Sequence, residues 1–368
     1  MKVDSTKLKK YRNINEAEIY FAPGVNIFCG SNGQGKTNLL EALWLFTGAK
    51  SFRGARNSEL IMLDEDKAEL EMKFFAENRE QCAKMTITGD ERTVTLNDVK
   101  LGAPSELIGR LCAVVFSPEH LTLINGSAHE RRAFLDNAVC QFRPSFTKTL
   151  VRYNKVLQQR NALLKQIKLG QTGTWSLEPW NMLMCSLGAE ISAVRQEFSE
   201  KLTNEAVRLY CGISGGREEM SIKYQCSYAK GESEKDVLEK ALNDKLEQSA
   251  ESDVSLGYTY YGPHRDDMDV RLDSLSARQF GSQGQKRSCV LALKLAQAAL
   301  TEKMTGEMPV AILDDVLSEL DEERQRFLLS KMDGWQVMIT CCDEASVKRM
   351  TGGKVFFVSG GAVSEKAV

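Results

Sequence analysis

The chain has 368 residues, 42% of them hydrophobic and 27% charged, the composition of a soluble globular protein with a large core. With 48 basic against 50 acidic residues, a net charge of -2 and a pI near 6.1, it is no polycation, so any affinity for nucleic acid has to come from a local patch. Ten cysteines with no C-x-x-C pair and three histidines argue for neither a zinc site nor a disulfide framework, and they fit a reducing compartment. No apolar segment follows Met1-Lys2-Val3-Asp4-Ser5 and no run of 18 apolar residues occurs, so the expectation is a cytosolic, cytoplasmic protein without signal peptide or membrane span.

In chain order, 17–21 and 25–29 read as strands around the Pro23-Gly24 turn. A strongly apolar helix over 38–46 ends at Thr47-Gly48. Short alternating runs at 68–75, 84–88 and 93–96, parted by Asn, Gly and Asp turns, predict an antiparallel meander, and 111–116 is a further strand closed by Ser117-Pro118. From Ala128 to about Ser214 the pattern is helical, interrupted near Gly170 to Gly173. A strand is expected over 220–228, a charged helix over 234–248, and β character again at Tyr258-Thr259-Tyr260 and 268–272. A long helix follows Gln279 to Lys286, with Cys289, Leu293, Ala296 and Leu300 on one face, and then come apolar strands at 310–313, 337–340 and 355–358. β-rich ends enclosing a helical middle predict one α/β head, 1–120 with 255–368, and a mainly helical inserted lobe, 121–254. Length also suits two domains or three.

Gly30-Ser31-Asn32-Gly33-Gln34-Gly35-Lys36-Thr37 stands between a strand and a helix, the context that makes G-x-x-x-x-G-K-[ST] specific for ATP. Its glycines let backbone N–H groups close around phosphate oxygens, and the helix adds its positive end. Lys36 supplies a mobile charge near the β- and γ-phosphates, and the Thr37 hydroxyl is suited to Mg²⁺. Such a loop needs a second strand ending in a carboxylate, and Val310-Ala311-Ile312-Leu313-Asp314-Asp315 provides it. Asp314 is the metal-side acid and Asp315 the general base for the attacking water.

Ser282-Gln283-Gly284-Gln285, just ahead of a helix and upstream of the acid strand, resembles the signature of ABC-type ATPases. Ser282 would also serve as a plain helix cap. The order of phosphate loop, signature, acid pair and Ser318-Glu319-Leu320-Asp321, which looks like a D-loop, follows that class. Within it the chain resembles the RecF family of bacterial recombination mediators over nearly its whole length. The resemblance is carried by the phosphate loop continuing into Asn38-Leu39-Leu40-Glu41-Ala42, by Ser51-Phe52-Arg53 with Glu59-Leu60-Ile61, and by Val114-Val115-Phe116-Ser117-Pro118-Glu119. Arg131-Arg132-Ala133-Phe134-Leu135-Asp136 and Tyr261-Gly262-Pro263-His264-Arg265-Asp266-Asp267 complete it.

The resemblance implies an ABC/SMC-like head with mixed sheet and β meander, and ATP and Mg²⁺ bound at Gly30 to Thr37, Asp314 and Asp315. It further implies that Ser282 to Gln285 reach the ATP of a second copy, so that a homodimer forms on ATP and parts on hydrolysis. It implies binding to DNA, duplex and at junctions or gaps, action with RecO and RecR to load RecA, and ties to replication and the SOS response. Two departures are visible: Cys341-Cys342-Asp343 follows Thr340 where ABC proteins often carry histidine, and the turn after Phe116 lacks the Q-loop glutamine. Slow turnover is the expectation, with His264 and Arg265 as conceivable replacements, although His264 equally suits a turn bonded to itself.

From Arg131 to Lys168 stand nine basic residues against one acid, Asp136, and Lys148, Arg152 and Lys155 share a helical face. Arg131, Arg132, Lys148, Arg152 and Lys155 are read either as a phosphate footprint or as a solvated face. Arg53 and Arg56, after the phosphate-loop helix, are second DNA candidates. No aromatic array stands out, which favours duplex over single strands. A transporter ATPase would need a membrane-docking surface and the missing glutamine and histidine; an SMC protein would need long heptad arms; a small-molecule kinase would leave Ser282 to Gln285 and Asp321 unused.

Overall fold

The computed structural model describes residues 1–342 and 353–365. Its strands are β1 (Lys2–Tyr11), β2 (Ile14–Tyr20), β3 (Val25–Cys29), β4 (Lys67–Ala76), β5 (Arg79–Thr88), β6 (Arg92–Leu96), β7 (Val99–Lys100), β8 (Ala113–Phe116), β9 (Met220–Gln225), β10 (Asp267–Leu272), β11 (Leu275–Ser276), β12 (Val310–Leu313), β13 (Val337–Cys341), β14 (Lys354–Ser359) and β15 (Ala362–Glu365). Its α-helices are α1 (Lys36–Leu45), α2 (Thr122–Asn125), α3 (Ala128–Phe142), α4 (Pro144–Lys168), α5 (Glu178–Ser214), α6 (Lys235–Gln248), α7 (Ala250–Leu256), α8 (Ala277–Phe280), α9 (Gln283–Thr305) and α10 (Glu322–Ser330). The chain divides into two compact units, Met1–His120 with Leu291–Val368, and Leu121–Val290.

Two sheets build the first unit. One is an antiparallel meander in the order β2-β1-β4-β5-β6-β7. In β4 the residues Ala68, Leu70, Met72, Phe74 and Ala76 are buried while the alternate positions face outward or are half-buried, the period of two that commits one face to the core. β1 escapes a reading of the sequence because its outward positions carry Lys2, Asp4, Lys7 and Lys9, and no apolar run is left. The other sheet runs β15-β14-β3-β13-β12-β8, all parallel except β15. β8, β12 and β13 are buried at every position, as strands covered on both faces must be. α1 is apolar nearly all round, and Leu39, Leu40, Leu43 and Trp44 join Leu8 and Phe74 of the meander and Phe28, Ile312 and Met338 of the parallel sheet in one core.

The second unit holds the long helices α4 and α5 and a small antiparallel sheet, β11-β10-β9. Here the boundary expected from the sequence needs correcting. The stretch 255–290, assigned there to the head, belongs to this unit, because β10 pairs with β9 (Met268 opposite Tyr224), a partner more than forty residues back. Tyr258-Thr259-Tyr260 is no strand either: the N–H groups of Thr259 and Tyr260 are taken by the side chains of Asn161 and Asp253.

The stretch 262–267 ties the helices of this unit together. Asp266 is fully buried and accepts hydrogen bonds from Ser192 Oγ (2.8 Å), the Tyr224 hydroxyl and the Ser227 N–H (2.7 Å). Arg195 pairs with Asp136 and donates to the Pro263 carbonyl at 2.7 Å, while Arg131 grips Asp267 through Nε (2.6 Å) and Nη2 (2.9 Å). Buried charges are tolerated because each is both paired and hydrogen-bonded. Gly262 makes the turn possible: its φ is +139°, and a Cβ there would stand 2.5 Å from the Tyr153 hydroxyl. Gly262→Ala should therefore destabilise the protein by about 3 kcal/mol, read as a lower thermal midpoint; an unchanged midpoint would show that the turn relaxes.

Candidate functional site

The site begins where β3 ends. Gly30 to Gly35 leave the sheet as a loop, and α1 starts at Lys36, one residue after Gly35, whose φ of +112° only glycine adopts without strain. A Cβ on Gly35 would also strike the Asn13 side chain at 2.7 Å. Gln34 is held from both sides: its carbonyl accepts from Asn13 Nδ2 (3.0 Å) and the Gly361 N–H (3.0 Å), and its side-chain oxygen from the Gly360 N–H (2.6 Å). Ser31, Asn32 and Gly33 are exposed, leaving the loop's outer turn accessible.

Lys36 is buried, and its Nζ donates to the carbonyls of Gly30 (2.7 Å) and Ser31 (3.1 Å), with Cys342 Sγ 3.8 Å away. An ammonium folded back on its own loop is a positive charge held ready for an anion. Thr37 Oγ1 donates to Asp314 Oδ1 at 2.8 Å, which joins the start of α1 to the end of β12. Thr340 at the end of β13 donates to the same oxygen at 3.0 Å and accepts the Asp315 N–H at 2.8 Å. Asp315 has a φ of +51°, a left-handed conformation that Asp accepts more readily than most residues, so the chain turns away from the strand direction there. Burial raises the Asp314 carboxyl above its ordinary value; the two hydroxyls pull it down, Asp315 adds repulsion and Arg53 a countering attraction. Cys342, exposed, lies 3.0 Å from Asn32 Oδ1 and 3.7 Å from Asp315 Oδ1.

The Thr37 hydroxyl and the Asp314 carboxylate are hard oxygen donors of the kind Mg²⁺ takes, with waters and phosphate oxygens filling the remaining positions. Among the described residues no group of three or more His, Cys, Asp or Glu could hold a metal ion. The residues fit the Mg–nucleotide pair.

Behind the loop, α1 is anchored by a buried carboxylate. Glu41 accepts Arg12 Nε (2.8 Å) and Nη2 (2.9 Å), the Tyr11 hydroxyl (3.1 Å) and the Ser51 hydroxyl. Ser51 Oγ in turn accepts the N–H of Arg53 (3.1 Å), which shapes the loop that carries this arginine. Arg53 is exposed and donates to Asn38 Oδ1 at 3.0 Å; Arg56 is exposed, its N–H bonded to the Glu59 carboxylate at 2.6 Å.

In the second unit, Ser282 and Gln285 form a reciprocal capping box at the start of α9: the Gln285 N–H donates to Ser282 Oγ (3.2 Å) and the Ser282 N–H to Gln285 Oε1 (2.6 Å). Gln285 Nε2 donates to Glu218 at 2.7 Å, Gly284 is half-buried, and Ser282 and Gln283 are exposed. Lys148, Arg152 and Lys155 are exposed on α4, opposite the buried Phe146, Thr149, Tyr153 and Val156. Arg131 corrects the sequence reading: buried and bidentate to Asp267, it has no reach to a phosphate. Arg132 is half-buried with Nη1 on the Asp266 carbonyl at 2.7 Å, and it too serves the fold. In the sequence both are only members of a charge run, and a charge run cannot tell a solvated face from one whose cations are bound into the fold. His264 has both ring nitrogens engaged, by the Tyr153 hydroxyl (2.7 Å) and the Thr259 carbonyl (3.2 Å), and burial pushes it down to about 4. It is a packing histidine of its unit.

Sequence reasoning named Thr340 and Cys342 only as the place of an absent histidine, and it missed Asn13 altogether as a neighbour of the phosphate loop. The signal available for the first was its place at the carboxyl end of a buried parallel strand, where such sheets bind ligands. Asp343, beside Cys342 in the sequence, lies outside the described residues.

A phosphate loop on the central strand, an acid two strands away and an intervening strand whose penultimate threonine bonds that acid define a P-loop ATPase head of the ABC/SMC class. Residues 2–362 match the family model described as the RecF/RecN/SMC N terminal domain, whose ABC-type ATPase character implies ATP hydrolysis. The DNA replication and repair protein RecF of Ruminiclostridium cellulolyticum is 37% identical over 358 residues, 94% of this chain and 93% of its own length. That of Agathobacter rectalis is 37% identical over 366 residues, 99% of each. The chain belongs to the RecF family. A solved structure described as the recombination mediator protein RecF with ATP in the RecFOR pathway superposes with a TM-score of 0.94 at 33% identity, covering 100% of this chain and 98% of that one. The Smc head domain of Pyrococcus furiosus, 16% identical with a TM-score of 0.57 over 100% of this chain and 96% of its own, shares the fold.

The raised Asp314 carboxyl gives a stability prediction with a definite sign. A buried acid that holds its proton more tightly when folded loses stability as the pH rises past its unfolded value of 3.8. At neutral pH, Asp314→Asn should thus melt about 2 °C above the parent without nucleotide, the gap closing as the pH is lowered toward the carboxyl's own range. With Mg–ATP the order should reverse, since the variant lacks the charge for the metal. A variant that melts below the parent at neutral pH would show that the carboxylate is not held at a cost.

Proposed function

We propose that this chain is an ATP-dependent DNA-binding protein of recombinational repair, replication and the SOS response, which dimerises on ATP and hydrolyses it slowly. Its role is to help RecO and RecR load RecA at gaps, on DNA that is duplex or at duplex/single-strand junctions, in the cytoplasm. No described helix is long and apolar enough to cross a membrane. The reading is carried by one arrangement, Lys36 turned in on the carbonyls of Gly30 and Ser31 beside a Thr37–Asp314 contact, in a chain that belongs to the RecF family.

When bound, ATP supplies a polyphosphate with a transferable γ-phosphoryl group. The N–H groups of Ser31 to Gly35 and the ammonium of Lys36 orient it, and Thr37 with Asp314 holds Mg²⁺. Asp315, turned out of the strand and fixed through Thr340, orients the attacking water as general base. Cys342 stands near Lys36 and Asp315, where ABC proteins often carry a histidine; a thiol binds an anion weakly, which favours slow turnover, and the weak ATPase is read as one that DNA stimulates. Ser282 to Gln285 of one copy reach the nucleotide of its mate. Lys148, Arg152 and Lys155 on α4, with Arg53 and Arg56 in the first unit, are the DNA contacts that remain once Arg131 and Arg132 are set aside.

Sedimentation with and without ATP tests the dimer. The parent should form ATP-dependent dimers and Ser282→Arg should stay monomeric, with loss of the cap costing only about 1 kcal/mol of stability; dimers that persist in the variant would remove the signature's role. DNA contact is tested by salt titration with ATP present. The triple change of Lys148, Arg152 and Lys155 to Ala should make the log–log slope on duplex shallower by about 2.7, from about 0.9 per phosphate contact. An unaltered slope would return the stripe to a solvated helix face.

A further inference from the structure

The loop that leads from α7 to the turn at Pro263–Arg265 is irregular, yet it is held as firmly as a core element. Thr259, buried, donates its N–H (2.8 Å) and hydroxyl (2.7 Å) to Asn161 Oδ1 and accepts from Arg160 Nη1 at 2.7 Å. Arg160 is fully buried and paired at 2.8 Å with Asp253, whose other oxygen accepts the Tyr260 N–H at 3.1 Å. Breaking a buried pair of this kind by removing one partner is strongly destabilising, so the loop has little freedom. What this scaffold presents is aromatic: Tyr258 is 37% exposed and Tyr260 50% exposed, on either side of a threonine that is 1% exposed.

Cations interleave with these rings. Arg265 Cζ lies 5.2 Å from the Tyr258 ring centroid and Lys245 Nζ 5.5 Å from that of Tyr261, while Tyr260 meets Tyr261 edge-on at 4.9 Å. Arg265 is exposed, and neither cation is in an ion pair among the described residues. In a motif whose His264, Asp266 and Asp267 side chains are engaged in hydrogen bonds within the fold, Arg265 is turned to solvent. Lys165 borders the same loop, its Cγ 3.4 Å from where a Cβ on Gly257 would stand, and Lys168 donates to the Ser255 carbonyl at 2.6 Å.

Rigid aromatic faces alternating with guanidinium and ammonium groups match a ligand with flat π-faces and a phosphate every few ångströms. We infer that Tyr258, Tyr260 and Arg265, with Lys245 beside them, form a base-stacking site for single-stranded nucleic acid. A duplex keeps its base faces stacked on one another and offers nothing for these rings to cover. The site lies near the far end of α4, ten residues or ~15 Å along the helix from Lys155, so one helix would carry duplex phosphates on its first half and lead to the unpaired strand at its end. This deepens, and rests on, the reading of the chain as a DNA-binding protein.

The test is fluorescence anisotropy with the full chain and ATP, using labelled oligothymidylate and a blunt duplex of equal length. Tyr260→Ala should weaken oligothymidylate binding about 10-fold, with duplex affinity and the salt slope unchanged, since the ring carries no charge. Tyr260→Phe, which keeps the ring, should bind as the parent does. Arg265→Gln should weaken single-strand binding and make its salt slope shallower by about 0.7. Full oligothymidylate affinity in Tyr260→Ala, or equal losses on single strand and duplex, would overturn the inference. So would a Tyr260→Ala protein that keeps its nucleic-acid affinity and loses a protein partner instead. A parent that binds duplex but no single strand sinks this site and leaves the proposed function standing; one that binds neither sinks both.

Discussion

One carboxylate oxygen, Oδ1 of Asp314, receives the hydroxyl of Thr37 from the phosphate-loop helix and that of Thr340 from the neighbouring strand. Through it the ends of β3, β13 and β12 are held to a common depth, and the acid pair faces the loop that Lys36 closes. The carboxylate has left water for a buried place, and two hydroxyl hydrogen bonds offset only part of that loss. The carboxylate and the Thr37 hydroxyl are hard oxygen donors of the kind a Mg–nucleotide would take.

The same principle, a buried acid organising donors from several elements, recurs through the molecule. Glu41 gathers Arg12, Tyr11 and Ser51 and so fixes both α1 and the loop bearing Arg53. Asp266 gathers Ser192, Tyr224 and Ser227, and Asp253 gathers Arg160 and the Tyr260 backbone. Each removes charge from the surface and leaves neighbouring side chains free to act. Arg53 next to the first and Arg265 just before the second are exposed on loops whose backbones these networks hold. Rigid loops carrying exposed cations suit a protein whose partner is a polyanion.

Much of this was legible in the residues. The phosphate loop, the acid strand and the order of elements between them are local patterns: a strand, a glycine turn and a helix follow from neighbours in sequence. The meander was legible because its alternation is local too, whereas β1 was hidden by its charged outward face. Charge runs were the poor guide. Arg131, Arg132, Lys148, Arg152 and Lys155 look alike in sequence, yet Arg131 and Arg132 meet Asp267 and the Asp266 carbonyl, over 130 residues away, while the other three meet solvent.

The sequence alone determined the chemistry of the loop, the class of the head and the family, because those rest on residue types at fixed short spacing. Only the tertiary structure decided that Thr340 shares the Asp314 oxygen, that 255–290 folds with the helical unit, and that Tyr258 and Tyr260 stand out on a braced loop. The physical reason is that each of these depends on which distant group satisfies a buried donor or charge, and chain order does not encode that pairing.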